Sequence, residues 1–322
     1  MHTEPQPAPK PGEKLVHVTS VGVCGSDLHW FHDSSIGDAH LVNPLILGHE
    51  FAGVIENETG KQLRVAVDPA INCQECEYCL EGNPNLCTKL HFAGHGMDDG
   101  ALREYVAWPE RCLYPLPDNL SDDDGAMLEP LGVALYALDH GQIRPGMSVG
   151  VYGCGPIGLL ILQLCRLAGA TQRLATDKLN HRIEAACAMG ATQAFQAEGG
   201  RESKSIYEAT GRKGVDVAFE VAGDNAAVET AVETVRPGGR VILVGIPEDD
   251  HTTFSASTAR RKGITLQLVR RMKHTYPRAI ELVEKGLVDV RSLVTHHFPL
   301  SETEKAFQTA LQREGLKVIV NP

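Results

Sequence analysis

Four cysteines, Cys73, Cys76, Cys79 and Cys87, stand in the pattern C-x2-C-x2-C-x7-C. Four thiolates this close, separated by turn-forming Asn, Glu and Gly, can wrap a tetrahedral ion at about 2.3 Å per bond. Such a cage has no open position for a substrate, so its task is to hold a lobe together. The same thiolates could carry an iron–sulfur cluster, but nothing else in the chain suggests electron transfer, and a structural zinc is expected.

A second pattern, Gly153-Cys154-Gly155-Pro156-Ile157-Gly158, matches G-x-G-x-x-G. It follows an apolar strand pattern, opens a helical one, and is trailed by Asp177 at the end of the next strand pattern. Glycines let the backbone approach a pyrophosphate, and the helix N-terminus offers free N–H groups and partial positive charge. Asp177 can accept hydrogen bonds from a ribose diol and would repel a 2′-phosphate, which favours NAD over NADP. Arg182 could turn toward such a phosphate or lie beside the adenosine.

Cys24 and His49, each beside a carboxylate (Asp27, Glu50), and Glu129 in Leu128-Glu129-Pro130 are dispersed. Cys24, His49 and a carboxylate would make a three-ligand site whose fourth position is open to water or substrate, as in catalytic zinc sites. Spacing alone leaves that reading undecided.

These residues need elements to position them. From residue 148 onward, strand patterns at 149–153, 173–177, 215–221 and 240–246 alternate with helical patterns at 156–169, 181–190 and 225–235. Most of the strands are rich in Val, Ile and Leu, as expected for a parallel sheet covered on both faces; 215–221, with Asp216 and Glu220, is the exception. Short β patterns at 15–19, 51–55, 64–67 and 105–107 indicate a β-rich first domain. Beyond about residue 269, 277–286 and 301–313 look helical, the second with a capping box of Ser301 and Glu304. The expected domains are 1–128 with 270–322, which includes the cysteine lobe at 73–87, and 129–269.

The chain has 322 residues, 43% hydrophobic and 22% charged, which rules out wholesale disorder. Its net charge of -11 argues against nucleic-acid or anionic-membrane binding, since either needs a basic face. The apolar run 149–165 contains Gly153, Gly155, Pro156 and Gly158, so it reads as strand, turn and helix rather than a membrane span. No secretory signal is recognisable in residues 1–12, and crowded thiols suggest a reducing cytoplasm.

Together, C-G-S-D-x-H, G-H-E, the four-cysteine lobe, G-x-G-P-I-G and E-P-L resemble the zinc-dependent medium-chain dehydrogenases, most closely the sorbitol (polyol) dehydrogenase branch. The resemblance implies an α/β fold, with a GroES-like β-rich catalytic domain and a Rossmann domain whose doubly wound parallel sheet binds NAD, assembled as a homodimer or homotetramer. It implies two zinc ions per chain, the catalytic one held by Cys24, His49 and Glu50, with Asp27 orienting the histidine. Ser26 and His29 match a proton relay. Glu129 replaces a cysteine of ordinary alcohol dehydrogenases and would hold a zinc-bound water or the substrate. Trp30 and Arg271 match positions lining a polyol site. Ile157, Asp177, Arg182, Val244 to Ile246 (with Gly245) and Val269 to Arg271 (with Arg270) match cofactor contacts.

The implied activity is oxidation of a secondary polyol hydroxyl to a ketose with hydride transfer to NAD. Glu50 coordination would neutralise the metal, so its exchange for water or substrate during turnover is open. Vicinal diols, threonine and sugar acids are alternative substrates, the last suited to the basic run Arg270, Arg271, Lys273 and His274. Against the family pattern, the chain reaches Pro9-Lys10-Pro11-Gly12 almost at once and shortens the 56–64 hairpin. These differences admit a rival class, a zinc- and nucleotide-binding protein without turnover.

Overall fold

Apolar residues at Leu15, Val16, Val18 and Val21 build a ten-residue strand, Glu13–Gly22, that organises everything around it. It pairs antiparallel with Tyr105–Pro109 through its first half, with Glu50–Glu56 through its second, and with Lys317–Asn321 at its end. Glu50–Glu56 continues to Gln62–Val67, which pairs with Leu113–Pro115. Val294–Pro299 adds to Lys317–Asn321 in parallel. The computed structural model describes residues 3–57, 59–248 and 250–322.

This seven-stranded sheet belongs to one of two units, Met1–Gly132 with Lys273–Pro322. Its core is Val16, Val18, Val21, Phe51, Val65, Val67 and Trp108, with a second cluster of Val23, Phe307, Val318 and Val320. Each fully buried Val or Phe contributes about 1.5–3 kcal/mol, so the strands are anchored at these alternate positions. The short 56–64 hairpin turns on Asn57, whose Oδ1 accepts from Thr59 N and Lys61 N; residue 58 lies outside the described residues.

Val133–Met272 is the second unit. Its six parallel strands run in the order Gln193–Gln196, Gln172–Asp177, Ser148–Tyr152, Val215–Glu220, Val235–Leu243, Thr265–Leu268. The order reverses between the first two strands in sequence and the fourth, which opens a crevice at the carboxyl ends of Ser148–Tyr152 and Val215–Glu220. This is the doubly wound sheet expected from the alternating patterns. Asp216, an oddity in that apolar strand, accepts from Ser148 N and Oγ and pairs with Arg236.

Some elements differ from the sequence expectations. The capping box at Ser301 does not form: Ser301 sits inside a 3-10 turn, Leu300–Glu302, and the α-helix starts at Thr303. Thr303 Oγ1 instead donates to Leu300 O at 2.7 Å, because the chain leaves extended Pro299 through a tighter turn. The strand expected at 240–246 begins at Val235 and ends at Leu243, releasing 244–246 as a loop. The edge strands Gln193–Gln196 and Thr265–Leu268 carry too few apolar residues to announce themselves, as do the helices Glu202–Ala209 and Ala256–Lys262.

Candidate functional site

The register that pairs Gly22 with Glu50 places the end of one strand beside the start of the next. Cys24 follows the first strand, His49 immediately precedes the second, and Glu50 begins it. One donor atom from each of Cys24, His49 and Glu50 lies within 4.8 Å of the others. Gly48 makes the approach workable. Its φ is +93°, and a Cβ there would stand 2.8 Å from Val21 Cγ1.

Behind the cluster, Asp27 is fully buried. It accepts from Cys24 N at 3.0 Å and Gly48 N at 3.2 Å, and faces His49 Nδ1 at 3.2 Å. Burial alone would raise its carboxyl; the His49 ring and the two amides outweigh that and hold it below its usual range. With Nδ1 committed to Asp27, His49 Nε2 is the nitrogen left to ligate. Ser26 Oγ lies 3.5 Å from Nε2. The donor set of one thiolate, one imidazole and one carboxylate, backed by a carboxylate on the histidine, fits a zinc ion.

Two more buried charged groups complete the setting. Lys317, from the strand Lys317–Asn321, is in ion-pair contact with Glu50 and donates to Val23 O at 3.1 Å. Glu129 is 5% exposed. Burial pushes its carboxyl up to about 7, with Glu50 adding to the shift and His49 opposing it. Lys317 escaped the sequence reading; its signal was a single cation opening an otherwise apolar strand.

The helix Gly25–Asp33 carries the remaining residues of this half. His29 Nδ1 meets Asp33 Oδ2 at 3.2 Å, and Trp30 is buried edge-on against His95. The four cysteines of the lobe also converge, with sulfur donors within 4.8 Å of one another. Sγ separations are 3.9 Å for Cys73–Cys79, 3.5 Å for Cys76–Cys79 and 3.4 Å for Cys73–Cys87. Tetrahedral Zn–S bonds of about 2.3 Å require edges of about 3.8 Å, so the cage fits that ion. The Cys79 backbone N–H draws the Cys76 thiol down to about 6, while burial pushes Cys79 up to about 12.

In the second unit, the glycines of the fingerprint have distinct tasks. Gly153 has φ +106°, and a Cβ on it would come 2.8 Å from Ala222 N. On Gly158 a Cβ would collide with Gly153 O at 2.0 Å. Gly155, by contrast, faces open space, with Arg182 Nη1 the nearest group at 3.8 Å, as a phosphate cradle requires. Pro156 and Ile157 start the helix Pro156–Leu167. Asp177 ends its strand and accepts from Cys154 N at 2.7 Å and Leu179 N at 2.9 Å, which fixes its carboxylate beside the cradle. This set of groups fits a dinucleotide.

Val244, Gly245 and Ile246 leave the strand Val235–Leu243 at the same carboxyl edge, with Ile246 half exposed. Val269 N donates to Leu243 O, and Arg270 and Arg271 follow it, Arg271 with a left-handed φ of +55°. Sequence reasoning noted Glu220 only as an exception to the apolar pattern. It is 1% exposed at the end of its strand, and burial pushes its carboxyl up to about 7 against the pull of nearby amides.

Known proteins match this arrangement. Residues 10–118 fit the model of the alcohol dehydrogenase GroES-like domain, and residues 156–285 that of the zinc-binding dehydrogenase. A sorbitol dehydrogenase of Bacillus subtilis (strain 168) is 36% identical over 100% of this chain and 94% of its own length. An L-idonate 5-dehydrogenase of Vitis vinifera is 33% identical over 98% of this chain and 89% of its own. Among solved structures, a zinc-binding dehydrogenase from Sinorhizobium meliloti 1021 bound to NADP superposes with a TM-score of 0.90. It is 29% identical and covers 98% of this chain and 94% of its own.

Proposed function

The chain belongs to the zinc-dependent medium-chain dehydrogenase/reductase superfamily, in its polyol branch, and we propose that it oxidises a secondary hydroxyl of a polyol to a ketone, with NAD as hydride acceptor. The observation that carries this reading is the mixed cluster of Cys24, His49 and Glu50, with Asp27 behind the histidine and buried Glu129 feeling its charges. When bound, zinc acidifies an alcohol and NAD accepts its hydride.

Cys24, His49 and Glu50 would hold the catalytic ion, and Cys73, Cys76, Cys79 and Cys87 a structural one. Lys317 competes for the Glu50 carboxylate, which would ease the exchange of Glu50 for water or substrate. Ser26 takes the alcohol proton and passes it to His29, whose Nδ1 is held by Asp33, leaving Nε2 to accept. Glu129, Trp30 and Arg271 bind the hydroxyls that flank the reacting carbon.

At the cofactor, Gly153, Gly155, Pro156, Ile157 and Gly158 cradle the pyrophosphate, while Val244, Gly245, Ile246, Val269 and Arg270 line the nicotinamide half. Asp177 accepts from the ribose diol, and Arg182 lies over the adenosine. The structural neighbour carries NADP, but the Asp177 carboxylate would repel a 2′-phosphate, so NAD is our assignment. We place the protein in the cytoplasm, where its thiolate cage would stay reduced, as a homodimer or homotetramer. Among the described residues no helix is long and apolar enough to cross a membrane.

A sugar-acid substrate is the second reading, favoured by the idonate dehydrogenase relative and by the basic run Arg270, Arg271, Lys273 and His274. Steady-state kinetics with NAD on polyols, diols, threonine, sugar acids and short mono-alcohols separates these. Arg271→Ala should lower kcat/KM for the preferred polyhydroxy substrate about 10- to 100-fold, the cost of one lost charged hydrogen bond, and leave a mono-alcohol nearly unchanged. Equal losses for both would refute the substrate role of Arg271. Wild-type protein with two zinc ions and no oxidation of any alcohol would establish the non-catalytic class instead.

A further inference from the structure

One buried carboxylate has no part in that mechanism. Glu220 Oε1 accepts from both Ala222 N and Gly223 N at 2.8 Å, and the Asp224 amide also donates to the carboxylate. The turn gathered this way is wedged between the two loops assigned to the cofactor. On one side, a Cβ on Gly153 would come 2.8 Å from Ala222 N. On the other, a Cβ on Gly245 would come 2.2 Å from Gly223 N and 2.9 Å from Glu220 Oε2, and one on Gly223 would come 2.3 Å from Ile246 O. Val244 N and Gly245 N also donate to the Glu220 carbonyl, at 2.8 and 3.2 Å. These joints have no slack, so a shift of the turn must displace at least one loop.

We propose that Glu220 is a positioning residue whose carboxylate sets the spacing between the 153–158 loop and the 244–246 loop, so that both halves of a nicotinamide dinucleotide seat at once. The proposal rests on the NAD reading above. The carboxylate gathers three amides of one turn, and the gathered turn then acts as a spacer. The carboxylate assigned to the adenosine ribose, that of Asp177, is held by Cys154 N and Leu179 N and not by Glu220.

Binding of NADH and of AMP to the zinc-loaded protein tests this, by fluorescence and by calorimetry. Glu220→Gln keeps the shape but weakens charge-assisted acceptance, and should raise the Kd for NADH about tenfold. AMP, held at the adenosine end, should change less than about twofold. Gly245→Ala should show the same selective loss by pushing the second loop off the turn. The double variant should be no weaker than the worse single one, because both loosen one joint. Glu220→Ala serves as a more severe variant, and if it fails to fold, Glu220→Gln decides. NADH binding unchanged in Glu220→Gln, or NADH and AMP weakened equally, overturns the role of Glu220 alone. Wild-type protein that binds neither nucleotide overturns the cofactor reading, and this role with it.

Discussion

Asp27 accepts from Cys24 N and Gly48 N and faces His49 Nδ1, so one carboxylate orders both flanks of the candidate ligand set. Losing it should free the imidazole to rotate. Asp27→Ala is expected to weaken metal binding at the mixed site about 10- to 100-fold while leaving the four-cysteine site unchanged, as read by titration with a competing chelator. Asp177 works in the same indirect way, held in place by two amides. Asp177→Ser should lower kcat/KM with NAD and raise it with NADP, since the carboxylate both binds the diol and repels the phosphate; a wild type that prefers NADP would overturn the assignment. The lobe cysteines, the fingerprint glycines and Asp177 stand out in the sequence by residue type and short spacing, whereas Cys24 and His49, 25 residues apart, take their role from the family resemblance. Lys317 and Glu220 were not legible in either way. Each matters through a neighbour brought close only by folding, and alone each looks like a charge misplaced in an apolar strand.

Elements show the same division. Strands with two covered faces were readable from their Val, Ile and Leu content, whereas the polar edge strands and the helix start at Thr303 depended on neighbours and on turn geometry. The short helix Asp122–Ala126 illustrates a pin that sequence could not supply. Ser121 and Asp124 form a reciprocal cap, and Arg291, remote in sequence, pairs with the same carboxylate. Burial would raise the Asp124 carboxyl, but Arg291 and the Ser121 bonds hold it below its ordinary value. A carboxyl depressed in the folded state stabilises above its unfolded value, about 3.9, and loses that contribution as pH falls through the folded one. Asp124→Asn should therefore lower Tm by a few degrees at pH 7. The gap to wild type should close below about pH 4, and a gap that stays constant with pH would refute the ionic contribution.

For the molecule as a whole, the two candidate metal sites differ in closure. A cage of four thiolates leaves no entry for a chelator, while the mixed site keeps a position for exchange. Fully loaded protein should contain two zinc ions per chain by elemental analysis. Mild chelation should remove one, and that one should be absent from the start in Cys24→Ala. One ion or fewer in fully loaded wild type would sink the two-site reading.

The strand Glu13–Gly22, the first of the chain, pairs with the last, Lys317–Asn321, and this bears on how the protein is born. Lys317 follows Val23, the residue it hydrogen-bonds, by 294 positions. At about 5–20 residues per second, a ribosome needs about 15–60 s to travel between them. Throughout that interval the edge that Lys317–Asn321 will cover is bare, and Glu50 waits for its counter-ion. The stretch Val133–Met272 is contiguous and can fold while translation continues. Nascent chains arrested before residue 317 should therefore show a protease-resistant nucleotide half and a protease-sensitive metal half. Interrupted synthesis would leave products that hold a cofactor but no chemistry, marked for degradation by their own unfinished sheet.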